Sequence, residues 1–98
     1  MAGYTALQAA AANNHVDVVY TLMNVGAAFD TKENLCRTAL HLAANNGHLE
    51  MCQILIAAGA QPLVEDKRFK KPHELARENK HWPVVDFLMD PYGGIRLP

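Results

Sequence analysis

Reactive residues are scarce in this chain. Its 98 residues include only two cysteines, Cys36 and Cys52, 16 positions apart and with no C-x-x-C pair. That leaves no short-spaced ligand pair for zinc and no disulfide framework. Both are read as free thiols in a reducing compartment, the cytoplasm or the nucleus. No apolar run approaches the roughly 20 residues of a membrane span, and Met1-Ala2-Gly3 is too short for a signal peptide. Nine Lys and Arg against ten Asp and Glu give a formal charge of −1, so no global bias draws the chain to nucleic acid or to a membrane. G-x-S-x-G, H-E-x-x-H, G-x-x-x-x-G-K-[ST] and G-x-G-x-x-G are all missing. The expectation is a protein that is not an enzyme, with no cofactor, no metal and no small-molecule substrate.

What the chain does have is apolar content, half of its residues, arranged with a period. The stretch Thr38 to Pro62 shows it best. Thr38 suits a helix N-cap, because its hydroxyl can accept from an orphan backbone N–H. Ala39, Leu40, Leu42, Ala43 and Ala44 make a short helix of mostly small apolar residues. Asn45-Asn46-Gly47 ends it, since a tight turn needs the left-handed backbone that Gly adopts most readily. A second helix follows from Leu49, with Met51, Cys52, Leu55 and Ile56 on one apolar stripe. Gly59 stands where a C-cap glycine belongs.

The pattern recurs at a spacing of 33. Thr5-Ala6-Leu7, Asn13, His15, Leu22, Gly26 and Ala27 match Thr38-Ala39-Leu40, Asn46, His48, Leu55, Gly59 and Ala60. Leu75, Ala76, Asn79, His81 and Leu88 form a looser third copy. Self-similarity at this period marks a stacked repeat protein, in which no unit can bury its apolar face alone.

The period, the helix–turn–helix layout and the TALHLAA…GH…GA punctuation resemble the ankyrin repeat. The resemblance runs from about Gly3 to Met89. It is strongest in the central copy, at Thr38, Leu40, His41, Leu42, Ala43, Ala44, Gly47, His48, Leu55, Gly59 and Ala60. Ala39 departs from it where the family favours Pro, and Cys36 where it usually has Gly. The resemblance implies an all-α solenoid of three helix–turn–helix units with short β-hairpin fingers. The expected layout is one domain over residues 1–91, in units of about 3–35, 36–68 and 69–91, followed by a loose tail at 92–98.

Within the first unit a helix is expected from Ala6 to about Asn13. A second runs from Val16 to about Val25, with Val18, Val19, Leu22 and Met23 inward. No polar capping unit precedes it, as terminal repeats usually need; the chain reads as a fragment of a longer protein, or as one whose first helix pair a partner covers. Cys36 and Phe69 both occupy the finger slot that favours glycine, and a residue with a β-carbon resists positive φ. Either the turn is altered at Cys36 or it carries strain. Pro72 and Pro83 fit first helical turns. The third unit is polar and degenerate, with Lys71 in place of the Thr cap and Lys80 in place of the turn glycine, as suits a C-terminal cap.

His15, His48 and His81 lie one per unit, so they do not converge on a point. They read as turn residues rather than metal ligands. By the resemblance, the His41 ring bonds at the Thr38 turn and tethers the neighbouring finger. Trp82 reads as cover for the end of the stack, with a contact anchor as the alternative. The main local departure is Lys67-Arg68-Phe69-Lys70-Lys71, either a solvated tip or a dock for an acidic segment.

The function expected from the resemblance is protein–protein interaction, as a scaffold, adaptor or regulatory segment. It would recognise another protein, an acidic segment being one form of partner, by its finger tips and the concave helix face. The positions free to read a partner carry over as Tyr4, Ala12, Asn13, Asn34, Leu35, Arg37, Asn45, Asn46, Lys67, Arg68, Lys70, Glu78 and Asn79, with Tyr4, Leu35 and Arg37 as central anchors. The alternative is a structural spacer within a larger multidomain enzyme or channel. A lesser one is nucleic-acid contact through the basic second finger, for which five basic or aromatic residues on a near-neutral chain are a thin footprint.

Overall fold

Residues 5–92 are described by the computed structural model. They form six helices: α1 Ala6–Ala12, α2 Val16–Asn24, α3 Ala39–Asn45, α4 Leu49–Ala58, α5 Pro72–Glu78 and α6 Trp82–Met89. Each is far shorter than the roughly 12–15 residues an isolated helix needs in water. Caps and packing therefore hold them. Thr5 and Thr38 accept from the N–H groups of Gln8 and His41, and the side chains of those residues accept in return from the cap N–H. α5 has only half of this box. The Glu74 carboxylate accepts from the Lys71 N–H at 2.9 Å, and Lys71 offers no cap acceptor.

Helices pack as pairs, α1 with α2, α3 with α4 and α5 with α6. The first helices stack α1–α3–α5, and α4 packs on α6. Leu55 and Leu88 lie in one buried cluster with Leu7, Leu40, Met51 and Val84, and Leu22 packs against it. The three leucines of the repeat therefore share one spine. His48 and Asn46 tie the units further: their side chains reach the Ala12 carbonyl at 3.0 and 2.8 Å and satisfy one of the orphan acceptors at the end of α1.

Val18 does not point inward. It is 46 % exposed, whereas its counterpart Met51 is 0 % exposed. The reason is the neighbour: α3 and α4 have a helix pair on either side, and α1 and α2 have one on one side only among the described residues. Ala6, exposed where Ala39 is buried, repeats the contrast.

Of the hairpin fingers the structure has the turn and, among the described residues, no strand. Cys36 N–H bonds Glu33 O at 2.8 Å and Glu33 N–H bonds Arg37 O at 3.1 Å; the second link repeats this with Phe69, Asp66 and Lys70. This is the three-residue turn that ends on a left-handed residue. Cys36 and Phe69 fill that position at φ 59° and 62°. The turn is thus unaltered at Cys36, which bears the strain. Pairing stops after one rung because the chain beyond Arg37 and Lys70 enters α3 and α5 almost at once. Lys67 N–H bonds Leu35 O of the neighbouring link at 2.9 Å, and Gln8 and His41 take the carbonyls behind.

Candidate functional site

The side chain at the third position of each first helix decides what happens to the link beyond it. In α3 this is His41, fully buried. Its Nδ1 accepts from the Thr38 N–H at 3.1 Å and its Nε2 lies 2.9 Å from the Lys70 carbonyl. Thr38 N–H can only donate and Lys70 O can only accept, so the ring is neutral with its proton on Nε2. Burial holds its pKa below the usual histidine value, against the opposing pull of the Lys70 carbonyl and Asp66. In α1 the same post belongs to Gln8, whose Oε1 accepts from Thr5 N–H at 2.9 Å while Nε2 donates to the Thr31 and Arg37 carbonyls. Gln8 thus holds the first link as His41 holds the second. In α5 the post falls to Glu74, an acceptor with no proton to give a carbonyl.

Each link turns its own acid inward. Glu33 is buried, and its Oε1 accepts from the Leu35 and Arg37 N–H groups at 2.7 and 2.9 Å. Its Oε2 pairs with the Arg37 guanidinium at 3.2 Å. Burial pushes the Glu33 carboxyl up, but those hydrogen bonds outweigh it and the pKa falls below the usual value. Asp66 does the same for the Arg68 and Lys70 N–H groups at 2.8 and 2.9 Å. At the turn tips Lys67, Arg68, Leu35 and Phe69 are exposed with Asn34, while Asp30 and Glu65 are exposed just before the turns.

Most of the expected contact residues form a connected surface. Asn79 Nδ2 donates to Asn45 Oδ1 at 2.8 Å, and Asn45 Nδ2 donates to Asn46 Oδ1 at 3.5 Å. Asn46 reaches on to Ala12 O. At the same end of α5, Glu78 pairs with Lys70 at 2.8 Å, which ties the second link to the first-helix ends. Lys67 then joins Leu35 through the backbone bond already described. Asn13 is exposed beside Ala12, its amide donating to Ala9 O at 2.8 Å. Asn34 is exposed in the first turn. Arg37 is drawn back onto Glu33, with 22 % of its side chain exposed. Tyr4 lies outside the described residues, as do positions 93–98 of the expected tail.

Three features carry weight that the sequence reading gave to other residues. Gln8 and Glu33 were passed over, although Gln8 stands 33 positions before His41 and the register alone pairs them. Phe69 enters the sequence reading as a misfit in a glycine slot and as the one aromatic of the basic run Lys67 to Lys71. The turn histidines do separate work: His48 bonds across to α1, and the His81 ring lies so close over Gly47 that a β-carbon there would sit 2.6 Å from its Nδ1. His15 is exposed. Trp82 keeps half its surface in solvent. Among the described residues no group of three or more His, Cys, Asp or Glu is placed to hold a metal ion. No helix among them is long and apolar enough to cross a membrane. The Cys52 thiol, buried in α4, is pushed up by burial to about 12.

A family model described as ankyrin repeats, three copies, matches residues 2–66. The pair α5–α6 lies beyond the match and repeats the same packing. No curated protein matches the chain.

Proposed function

The chain belongs to the ankyrin-repeat family, and on that premise we propose that it is a protein-interaction module, a scaffold, adaptor or regulatory segment acting in the cytoplasm or nucleus. Ankyrin repeats are in general modules of this kind. The partner lies along the first-helix ends and the two links, on the concave side that the family's stacking creates. One observation carries the reading: the chain of contacts from Ala12 through Asn46, Asn45, Asn79, Glu78 and Lys70. Those side chains are solvent-facing, while the framework beneath them is buried. Amides suit the task, because each offers both donors and an acceptor to a peptide backbone. The module works by binding and not by catalysis. Free Cys36 and Cys52 fit a reducing compartment.

Selection of a random peptide library on the immobilised chain tests this. Binders that compete with one another, and that are lost on Asn46→Arg and Asn79→Arg but kept on Gln53→Arg at an exposed position of α4, support the face. Circular dichroism of each variant guards against unfolding. A library that yields no binder, or only binders indifferent to Asn46 and Asn79, overturns it.

A further inference from the structure

We propose that Phe69 is a binding anchor, and that the segment it receives from a partner is acidic and carries an aromatic side chain. The inference rests on the interaction reading above and specifies the partner's chemistry at the second link. It starts from a mismatch between conformation and burial. Phe69 holds φ at 62°, a region that a bulky side chain avoids. Residues kept in such conformations are normally fixed by packing around them. Here packing supplies no return, because 76 % of the ring faces solvent. The backbone does the fixing instead, through the Asp66 carboxylate on Arg68 N–H and Lys70 N–H and through Phe69 N–H to Asp66 O at 3.0 Å. The turn thus presents a ring outward at a conformational cost that the isolated chain does not recover. Strain of this kind, without local compensation, is a mark of a functional position.

The surroundings name the occupant's charge. Of the four acids in the two links, Asp66 and Glu33 are turned inward and consumed by their own turns, and Asp30 and Glu65 are exposed but lie before the turns. Lys70 is satisfied by Glu78. Lys67 and Arg68 are exposed and pair with no carboxylate among the described residues. An incoming carboxylate is their complement, and an incoming ring can stack edge-to-face on Phe69 or beneath Arg68. Leu35, exposed and bonded through its carbonyl to Lys67 N–H, extends the apolar surface to the first link.

The probes are a fluorescently labelled Glu/Tyr copolymer and poly-Glu of matched length, measured by anisotropy at low salt. The copolymer should bind about three- to tenfold more tightly than poly-Glu. Phe69→Gly should remove that preference and, by releasing the backbone, raise Tm by about 2–6 °C. Phe69→Ala, which keeps the β-carbon, should remove the preference and leave Tm in place. Cys36→Gly, at the equivalent turn, should raise Tm with binding unchanged. Lys67→Glu with Arg68→Glu should abolish binding of both polymers. Equal affinity for the two polymers overturns the proposal, as does a Phe69→Gly variant with lowered Tm or with the preference intact. Tighter binding to phosphatidylserine vesicles than to the copolymer also overturns it, in favour of a membrane. Library binders that depend on Asn46 and Asn79 but ignore Phe69 leave the interaction reading standing and sink this one alone.

Discussion

The first and middle helix pairs are built on one template, yet they bury very different amounts of themselves. α4 buries Met51, Cys52, Ile54, Leu55 and Ile56; α2 buries only Val19. α2 is not short of apolar side chains, since Val16, Val18, Leu22 and Met23 stand on it too. Burial in a stack is a property of the neighbours on both sides, not of the helix's own stripe. The sharpest test truncates the same leucine in both pairs. Leu55→Ala should cost about 2–5 kcal/mol, because the cavity opens inside a spine closed on both sides. Leu22→Ala, at a partly buried site free to collapse, should cost about 1–2 kcal/mol. Urea unfolding followed by circular dichroism gives both values. Equal losses would mean that the two pairs are equivalent after all and that the stack has no weak end.

The turns within the pairs differ in the same sense. Gly47 at φ 76° stands beneath His81, whereas Gly26 at φ 88° has nothing within 4 Å of where a β-carbon would lie. Alanine at either position meets the left-handed penalty of about 1–2 kcal/mol. Gly47→Ala must in addition displace the His81 ring, so it should cost more than Gly26→Ala. Adding His81→Ala to Gly47→Ala should remove that excess. A double-mutant cycle reads it directly, and a coupling of zero would remove the ring from the argument.

These contrasts mark where sequence alone is informative. Helix ends were readable to within about a residue, because Thr5, Thr38, Pro72 and Gly59 act locally through caps and backbone conformation. The shared leucine spine was readable because the period places Leu22, Leu55 and Leu88 in register. Val18 was not, since a polarity pattern says which face is apolar and not whether anything lies against it. Nor was the inward turn of Glu33 and Asp66. A charged residue in a polar loop looks solvated until the backbone N–H groups around it are seen to need an acceptor. The same holds for Arg37, expected as an anchor toward a partner and found paired four residues back with Glu33.

The subtlest contrast sets His41 against Gln8, two side chains with one job and different proton chemistry. His41 is buried neutral, with its folded pKa below 6.5. A depressed pKa of this kind contributes stability that is present above the unfolded value near 6.5. It is lost as pH falls toward the folded pKa, because the unfolded chain takes up the proton first. Protonation would also aim an Nδ1–H at the Thr38 N–H, so the cap bond is lost while Nε2–H still donates to Lys70 O. For one proton the slope cannot exceed about 1.4 kcal/mol per pH unit. Gln8 has no such dependence. His41→Gln should therefore keep the second link tied to Lys70 O, by the geometry Gln8 already uses, while flattening stability between pH 6.5 and the acid limb. His73, whose pKa burial also lowers, contributes equally to both proteins and cancels in the difference. Urea midpoints at successive pH values measure it: parallel curves for wild type and His41→Gln would show that the ring's protonation does not limit the fold.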